Sequence, residues 1–174
     1  MDLRDEMKNL LATLSREMRE KYRRHVSTGD LLTDRWEAAR SLGFGEGSSC
    51  YDSVLVLGDV TVGKNCWIGP NVVLDGSGGL IIGDHVDVCA GSQIYTHSTV
   101  RRAVSGGREP VSHAPTRLGS NIYIGPLTVI AMGVTIGDGA IVGTMSLVDR
   151  DVPAGAKVWG IPARPHQRAA EESS

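Results

Sequence analysis

The run from Leu118 to Val158, LGSNIYIGPLTVIAMGVTIGDGAIVGTMSLVDRDVPAGAKV, is periodic at six residues. Aliphatic side chains stand at Leu118, Ile124, Ile130, Ile136, Val142 and Val148. A second series of small or β-branched residues stands four positions after each, at Ile122, Thr128, Val134, Ala140, Ser146 and Val152. Glycine follows the aliphatic in Leu118-Gly119, Ile124-Gly125, Ile136-Gly137 and Val142-Gly143. A helix repeats near 3.6 residues and a strand at 2, so neither accounts for this spacing. Repeated hexapeptides instead mark a parallel β-helix.

The same phase runs upstream through Val56 with Val60, Val62 with Cys66, Ile68 with Val72, Leu74, Ile82 with Val86, Val88 with Ser92, and Ile94. Leu74 and Ile82 are eight residues apart, so two extra residues are absorbed around Gly76-Ser77-Gly78-Gly79. Glycine is what a bulge at a corner requires. With three hexads to a triangular turn, the chain from Cys50 to Val158 winds about five turns, each stacking its aliphatic pair on the last. Between Ile94 and Leu118 the pattern fails. Val100 and Val104 could begin another hexad, but Gly106-Gly107-Arg108-Glu109-Pro110 and His113-Ala114-Pro115 cannot fill inward positions. Because the phase resumes at Leu118, the segment 98–117 reads as a loop extruded from one corner. Loops of this length in compact domains are functional or disordered.

Ahead of the repeat, Leu3, Met7, Leu10, Leu11, Leu14 and Met18 recur at helical spacing, which predicts an amphipathic helix from Asp2 to Arg24. Asp34 with Glu37 reads as an N-terminal cap for a second helix carrying Trp36, Ala39 and Leu42 on one face and closed by Gly43. The helices are expected to pack on the rod or on a neighbouring subunit. The organisation is therefore an N-terminal helical segment over 1–45, a repeat domain over 46–165 and a tail over 166–174 whose last residues, Ala169 to Ser174, are expected to fray.

Composition narrows the function. The 174 residues carry a net charge of -2, 22% charged residues and one Phe, with no basic field for nucleic acid. Cys50, Cys66 and Cys89 form no CxxC pair and no secreted-type framework, which favours a reducing, cytoplasmic setting. The acidic start Met1-Asp2-Leu3-Arg4-Asp5-Glu6 does not read as a signal peptide, and no run reaches the ~20 apolar residues of a membrane span.

The hexads, the loop opened by Ile94-Tyr95-Thr96-His97 and the ending Val152-Pro153-Ala154-Gly155-Ala156-Lys157-Val158-Trp159-Gly160-Ile161-Pro162-Ala163-Arg164 together resemble the left-handed β-helix hexapeptide acyltransferases. Among them the chain looks most like the sugar O-acetyltransferases, including the galactoside and maltose enzymes and relatives in polysaccharide biosynthesis. The fold expected is all-β, a left-handed parallel β-helix of hexapeptide repeats with an N-terminal helical segment and an extruded loop. The left hand comes from the resemblance, since periodicity does not set it and parallel crossovers are normally right-handed. The resemblance implies a homotrimer with an acetyl-CoA site in each groove between rods, no metal, and a catalytic histidine at the start of the loop, which here is His97.

A hydroxyl attacks a thioester only as a base removes its proton, and imidazole, with a pKa of about 6.5, can take that proton and return it to the departing thiolate. A nearby backbone N–H would hold the oxyanion. His113, across the loop, is the competing base; His85, His25 and His166 read as surface residues. Asp75, Asn71 and Asp87 lie on the preceding turn as candidates to orient the imidazole, and Asp75 is chosen. By resemblance, Gly125-Pro126 and Gly143-Thr144 would line the pantetheine arm, and Arg150, Lys157 and Arg164 would meet phosphates. The plain alternative is that these glycines turn corners and these cations are solvated. Pro126 departs from the hydrogen-bonding side chain often found at its place. Tyr123 and Arg101, with Arg102 and Arg108, are candidates for the acceptor pocket, the arginines equally reading as solvated loop charges.

Acetyl transfer from acetyl-CoA to a saccharide hydroxyl is the expected activity. N-acetylation of a nucleotide-linked amino sugar, or acetylation of a xenobiotic, would use the same histidine. A γ-type carbonic anhydrase needs grouped zinc ligands, and His85, His97 and His113 show no His-x4-His pairing. A silent β-helix scaffold is the non-enzyme alternative, against which His97 and the Gly-x-Pro-Ala-Arg ending argue.

Overall fold

The computed structural model describes residues 2–166 and is a left-handed parallel β-helix behind an N-terminal helical segment. The expected tail from Ala169 to Ser174 lies outside the described residues. The first face of the rod stacks Ser49–Cys50, Trp67–Ile68, Asp87–Val88, Tyr123–Ile124, Ile141–Val142 and Lys157–Gly160, all parallel and in register. The steps between them are 18 residues where three plain hexads make a turn, 20 across the glycine-rich insertion, 36 across the extruded loop and 16 at the last, from Ile141 to Lys157.

The other two faces share their lower strands. Leu55–Val62 and Val73–Ile82 each bend through both, pairing in parallel with each other. Above them the second face continues through Gln93–Ile94, Val129–Ile130 and Leu147–Val148, and the third through Thr116–Leu118, Thr135–Ile136 and a bridge at Val152.

Every residue of the two hexad series from Leu118 to Val152 is buried, so the period marks the inward side of each strand. Removing one such Ile or Val side chain from water contributes about 1.5–3 kcal/mol. Inward hydroxyls are matched to corner carbonyls: Ser92 Oγ donates to Gly125 O at 3.0 Å, Thr128 Oγ1 to Gly143 O at 3.0 Å and Ser146 Oγ to the same Gly143 O at 2.8 Å. Among the described residues no buried side-chain N or O lacks a partner. Sharp corners take left-handed backbone, and two columns of it climb the rod: Asn65, His85, Asn121, Gly139 and Gly155 in one, Asn71, Gly91, Leu127 and Met145 in the other. Asparagine and glycine tolerate that conformation; Leu127 and Met145 adopt it while exposing their side chains.

The first helix, α1, spans Leu3–Tyr22, shorter at both ends than expected. The start of its apolar stripe, Leu3, Met7 and Leu10, is exposed, while Leu11, Leu14 and Met18 are half-buried. A short helix, α2 (Thr28–Leu32), follows; Ser27 caps it by accepting from Asp30 N at 3.3 Å. The third helix, α3 (Arg35–Ser41), has the expected cap: Asp34 Oδ1 accepts from Trp36 N at 2.9 Å and Glu37 N at 2.8 Å. Of the face Trp36, Ala39 and Leu42, only Ala39 is buried. Ala39 and the following Phe44 join the core at the lower end of the rod, against Cys50 and Val62.

Candidate active site

The two extra residues between Leu74 and Ile82 shape the site. The strand Leu55–Val62 pairs with Val73–Ile82 residue by residue to Gly58 opposite Gly76, and again from Val60 opposite Leu80. Asp59 therefore faces Ser77, Gly78 and Gly79, and those three residues bulge. Just before the bulge Asp75 turns inward and is fully buried.

A buried carboxylate is tolerated only if its oxygens are saturated with donors. Asp75 Oδ1 accepts from Ser77 Oγ at 2.5 Å and Ser77 N at 3.1 Å. Its Oδ2 accepts from Thr96 N at 2.7 Å and meets Nδ1 of His97 at 2.7 Å. Burial alone would push the Asp75 pKa up. The Ser77 hydroxyl, the Thr96 N–H, the His97 ring and the Ser77 N–H outweigh it and hold the carboxyl well below the usual carboxylate range. An ionised carboxylate only accepts, so Nδ1 of His97 carries a proton and Nε2 is left with the lone pair of the neutral ring.

The extruded segment is more ordered than an irregular loop. Its neck is an antiparallel pair, His97–Ser98 with Ser112–His113, and beyond it lies a one-turn helix, α4 (Val100–Val104). Val100 and Val104 are exposed on that helix and start no hexad. The neck is tied to the bulge: Ala114 N donates to Thr96 O at 2.9 Å, Gly78 N donates to Thr96 Oγ1 at 2.7 Å, and Thr96 Oγ1 donates to Asp75 O at 2.8 Å. His97, with 28% of its side chain exposed, opens to solvent between Tyr95, whose ring stands edge-on at 6.1 Å, and His113 at 6.3 Å. The rival histidine is thus the cross-strand neighbour of His97 but has no carboxylate partner among the described residues.

Asp75, chosen from the sequence, is the residue that reaches His97. Asn71 occupies a left-handed corner and Asp87 points outward from the first face. Ser77 and Thr96 were not singled out; the signals were a hydroxyl inside a glycine run and another beside the histidine.

The remaining candidates lie elsewhere on the chain. Tyr123 is outward on the first face, flanked by Asp87 and Ile141, so one chain does not bring it beside His97, which follows a second-face strand. Its phenol is held above its ordinary pKa by Cys89, burial and Asp87. Arg101 and Arg102 lie on α4 and Arg108 just beyond it, all exposed and without a salt bridge to a described carboxylate. Gly125 and Gly143 stack at one corner. A Cβ on Gly125 would meet Thr144 N at 2.6 Å, and one on Gly143 would meet Trp159 Cβ at 2.7 Å, so rung stacking itself demands glycine there. Pro126 O accepts from Met145 N at 2.9 Å, and Thr144 is exposed beside it. Arg150 and Arg164 converge on Asp149, each at 3.2 Å. Lys157 is exposed at the start of the last first-face strand. The three cysteines are free and buried, and burial, with Asp30 and Asp52, pushes the Cys50 thiol up to about 11. Among the described residues no group of three or more His, Cys, Asp or Glu is placed to hold a metal ion.

Comparison with known proteins matches this architecture. The family described as hexapeptide repeat of succinyl-transferase matches residues 59–96 and 115–145, and the interruption falls on the extruded loop. Galactoside O-acetyltransferase of Escherichia coli (strain K12) is 31% identical over 126 residues, covering 60% of this chain and 61% of that protein. The 2,3,4,5-tetrahydropyridine-2,6-dicarboxylate N-acetyltransferase of Staphylococcus aureus is 40% identical over 75 residues, covering 43% of this chain and 31% of that protein. The chain therefore spans less than two thirds of either relative. Among solved structures, a hexapeptide-repeat-containing acetyltransferase from Vibrio cholerae superposes with a TM-score of 0.57 at 25% identity, over 93% of this chain and 92% of that one. The N-acyltransferase AntD from Bacillus cereus, in complex with dTDP and 3-hydroxybutyryl-CoA, shares the fold at a TM-score of 0.65 and 22% identity, over 71% of this chain and 70% of that one.

Proposed function

The chain belongs to the hexapeptide-repeat acyltransferases, and from that premise we propose that it transfers acetyl from acetyl-CoA to a hydroxyl of a saccharide, with His97 as general base. The observation that carries the reading is the buried Asp75 carboxylate bonded at 2.7 Å to Nδ1 of a partly exposed histidine at the mouth of the extruded loop. In the reaction the imidazole takes the proton of the acceptor hydroxyl as its oxygen bonds to the thioester carbonyl carbon. The negative charge that gathers on the carbonyl oxygen is met by a backbone N–H. As the tetrahedral intermediate collapses, the carbon–sulfur bond breaks and the imidazolium returns the proton to the thiolate of CoA. Asp75 stays ionised throughout and stabilises the imidazolium that forms between the two proton transfers.

Acetyl-CoA is a substrate in this scheme. The corner residues Gly125, Pro126, Gly143 and Thr144 are assigned to its pantetheine arm, and Arg150, Lys157 and Arg164 to its phosphates. The chain acts as a homotrimer in the cytoplasm, where three free cysteines remain reduced. Tyr123 and Arg101 are assigned to the acceptor. Because Tyr123 lies on another face from His97, that assignment requires the neighbouring subunit to complete the pocket.

N-acetylation of an anionic, nucleotide-linked amino sugar is the second reading. It is favoured by Arg101, Arg102 and Arg108, exposed on the loop without a salt bridge to a described carboxylate, while the Staphylococcus aureus relative, named for a dicarboxylate acceptor, supports N-transfer alone. The test is thiol release from acetyl-CoA across a panel of neutral glycosides, nucleotide-linked amino sugars and aminoglycoside drugs, with wild type and His97→Ala. Turnover of glycosides, lost by ~10²-fold or more in the variant, is the expected result. Turnover confined to amines would replace O-transfer by N-transfer, and a folded His97→Ala protein keeping more than about a tenth of the rate would remove the histidine from the mechanism.

A further inference from the structure

We propose that Ser77 is a positioning residue for His97, acting through Asp75, and that the bulge at Gly76–Gly79 serves to place it. The proposal rests on the reading of His97 as the base. The rod itself gives the bulge no other task. The strand below crosses the same corner with Asp59 alone, and the pairing is in register on both sides of the insertion. Two added residues also cost conformational entropy that no buried apolar side chain repays, since Ser77, Gly78 and Gly79 contribute none to the core.

What the bulge does provide is both donors to one carboxylate oxygen. Asp75 Oδ1 has Ser77 Oγ at 2.5 Å and Ser77 N at 3.1 Å, and no other partner among the described residues. Oδ2 is shared by Thr96 and His97. The carboxylate is thus pinned at both ends, and its plane fixes which face of the imidazole points to solvent. Without the Ser77 hydroxyl, a fully buried Oδ1 keeps a single long hydrogen bond. The carboxyl then rotates or takes up a proton, and either change frees Nδ1 of His97 from its obligation to donate. The population of rings with a lone pair on Nε2 falls, and the imidazolium loses part of its counter-charge. The other titratable groups facing this pair are the His113 ring, 6.3 Å from His97, and the Tyr95 phenol, which is itself tied to Gln93 Oε1 at 2.8 Å. Neither bonds Asp75.

The experiment compares wild type, Ser77→Ala, Ser77→Gly and Ser77→Thr by two readouts on the full chain. Nitrogen NMR of histidine-labelled protein reports the His97 tautomer and titration without any substrate. Initial rates against pH report the reaction. The Nδ1–H form is expected in wild type and Ser77→Thr. A mixed tautomer is expected in Ser77→Ala and Ser77→Gly, with kcat down about 10-fold to 10²-fold and KM for acetyl-CoA within about 2-fold. Ser77→Gly keeps the N–H in a run already rich in glycine, so it guards against misfolding of the alanine variant. An unchanged tautomer and pH profile in Ser77→Gly would overturn the proposal, even if the rate fell. Loss of the tautomer preference alongside a fully active His97→Ala protein would uphold the positioning and remove the base assignment instead.

Discussion

Replacing Gly78 by alanine tests how the loop neck is held. A Cβ at Gly78 would stand 2.5 Å from Thr96 O, 3.1 Å from Ala114 N and 3.3 Å from His113 Cβ. Two of these atoms are backbone, and none is the free end of a flexible side chain. Restoring ordinary contact at about 3.4 Å requires the Thr96 carbonyl and the bulge to part by about 0.9 Å. That carbonyl accepts Ala114 N, the bond that closes the neck, and Thr96 is the residue before His97. Overpacking of this size costs about 1–3 kcal/mol, which for a chain of this length lowers Tm by roughly 2–12 °C. The larger effect falls on the site, because displacing a reacting group by about 1 Å costs on the order of 10²-fold in rate. Calorimetry should find acetyl-CoA affinity within about 2-fold of wild type, and thiol release should find kcat reduced ~10²-fold. A folded Gly78→Ala protein with kcat within about 3-fold of wild type would refute the reasoning, since the bulge would then not govern where His97 sits.

Asp75→Asn puts an amide where the carboxylate was, and its NH2 can donate to Nδ1 and reverse the tautomer; a loss of ~10²-fold or more in kcat is expected, and an unchanged rate and pH profile would dismiss the pairing. The same residue shapes acid stability. Its folded pKa lies below the unfolded value, so its contribution is complete above the ordinary carboxylate range and is lost as pH falls below it. Denaturant unfolding of Asp75→Ala should therefore show a shallower decline between pH 5 and 2 than wild type, and parallel curves would contradict this. His113→Ala should keep more than about a tenth of wild-type kcat, because the ring meets no described carboxylate; a drop as large as that of His97→Ala would reassign the base. Arg164→Ala should weaken acetyl-CoA binding about 10-fold by calorimetry, the scale of one charge-assisted hydrogen bond, while Asp149→Ala, which frees Arg150 and Arg164 from their shared carboxylate, should tighten it.

The rod was legible because six-residue periodicity has one architectural solution, and the inward series from Leu118 to Val152 is buried without exception. The insertion after Leu74 was legible as a length discrepancy of two residues, but not as the floor of a site. Its meaning depends on Ser77 meeting Asp75 across two residues and on Gly78 meeting Thr96 across eighteen, distances that phase counting does not contain. For the same reason Asp75 was a choice among three polar residues of one turn until its inward direction separated it from Asn71 and Asp87. The helices divide along another line. Asp34 announced α3 because a cap is a local bond, and Ser27 with Asp30 carried the same kind of signal for α2. The stripe on α1 announced only that a face is apolar. A hydrophobic pattern names no partner, and Leu3, Met7 and Leu10 stay exposed among the described residues.

The position of α3 beneath the first rung gives the rod a direction. A stack in which each layer touches only its neighbours melts from its ends inward, and the free energy of opening a layer falls towards the nearer terminus. Asp75 belongs to the second layer of its face and His97 leaves the third, so just one layer and the Ala39–Phe44 plug separate this pair from the lower end. Two further layers lie above, at Val129–Ile130 and Leu147–Val148. Damage at the top can fray a turn and leave the Asp75–His97 hydrogen bond intact. The same damage at the bottom is one step from it, which makes the short helix under the rod the guardian of a site it never touches.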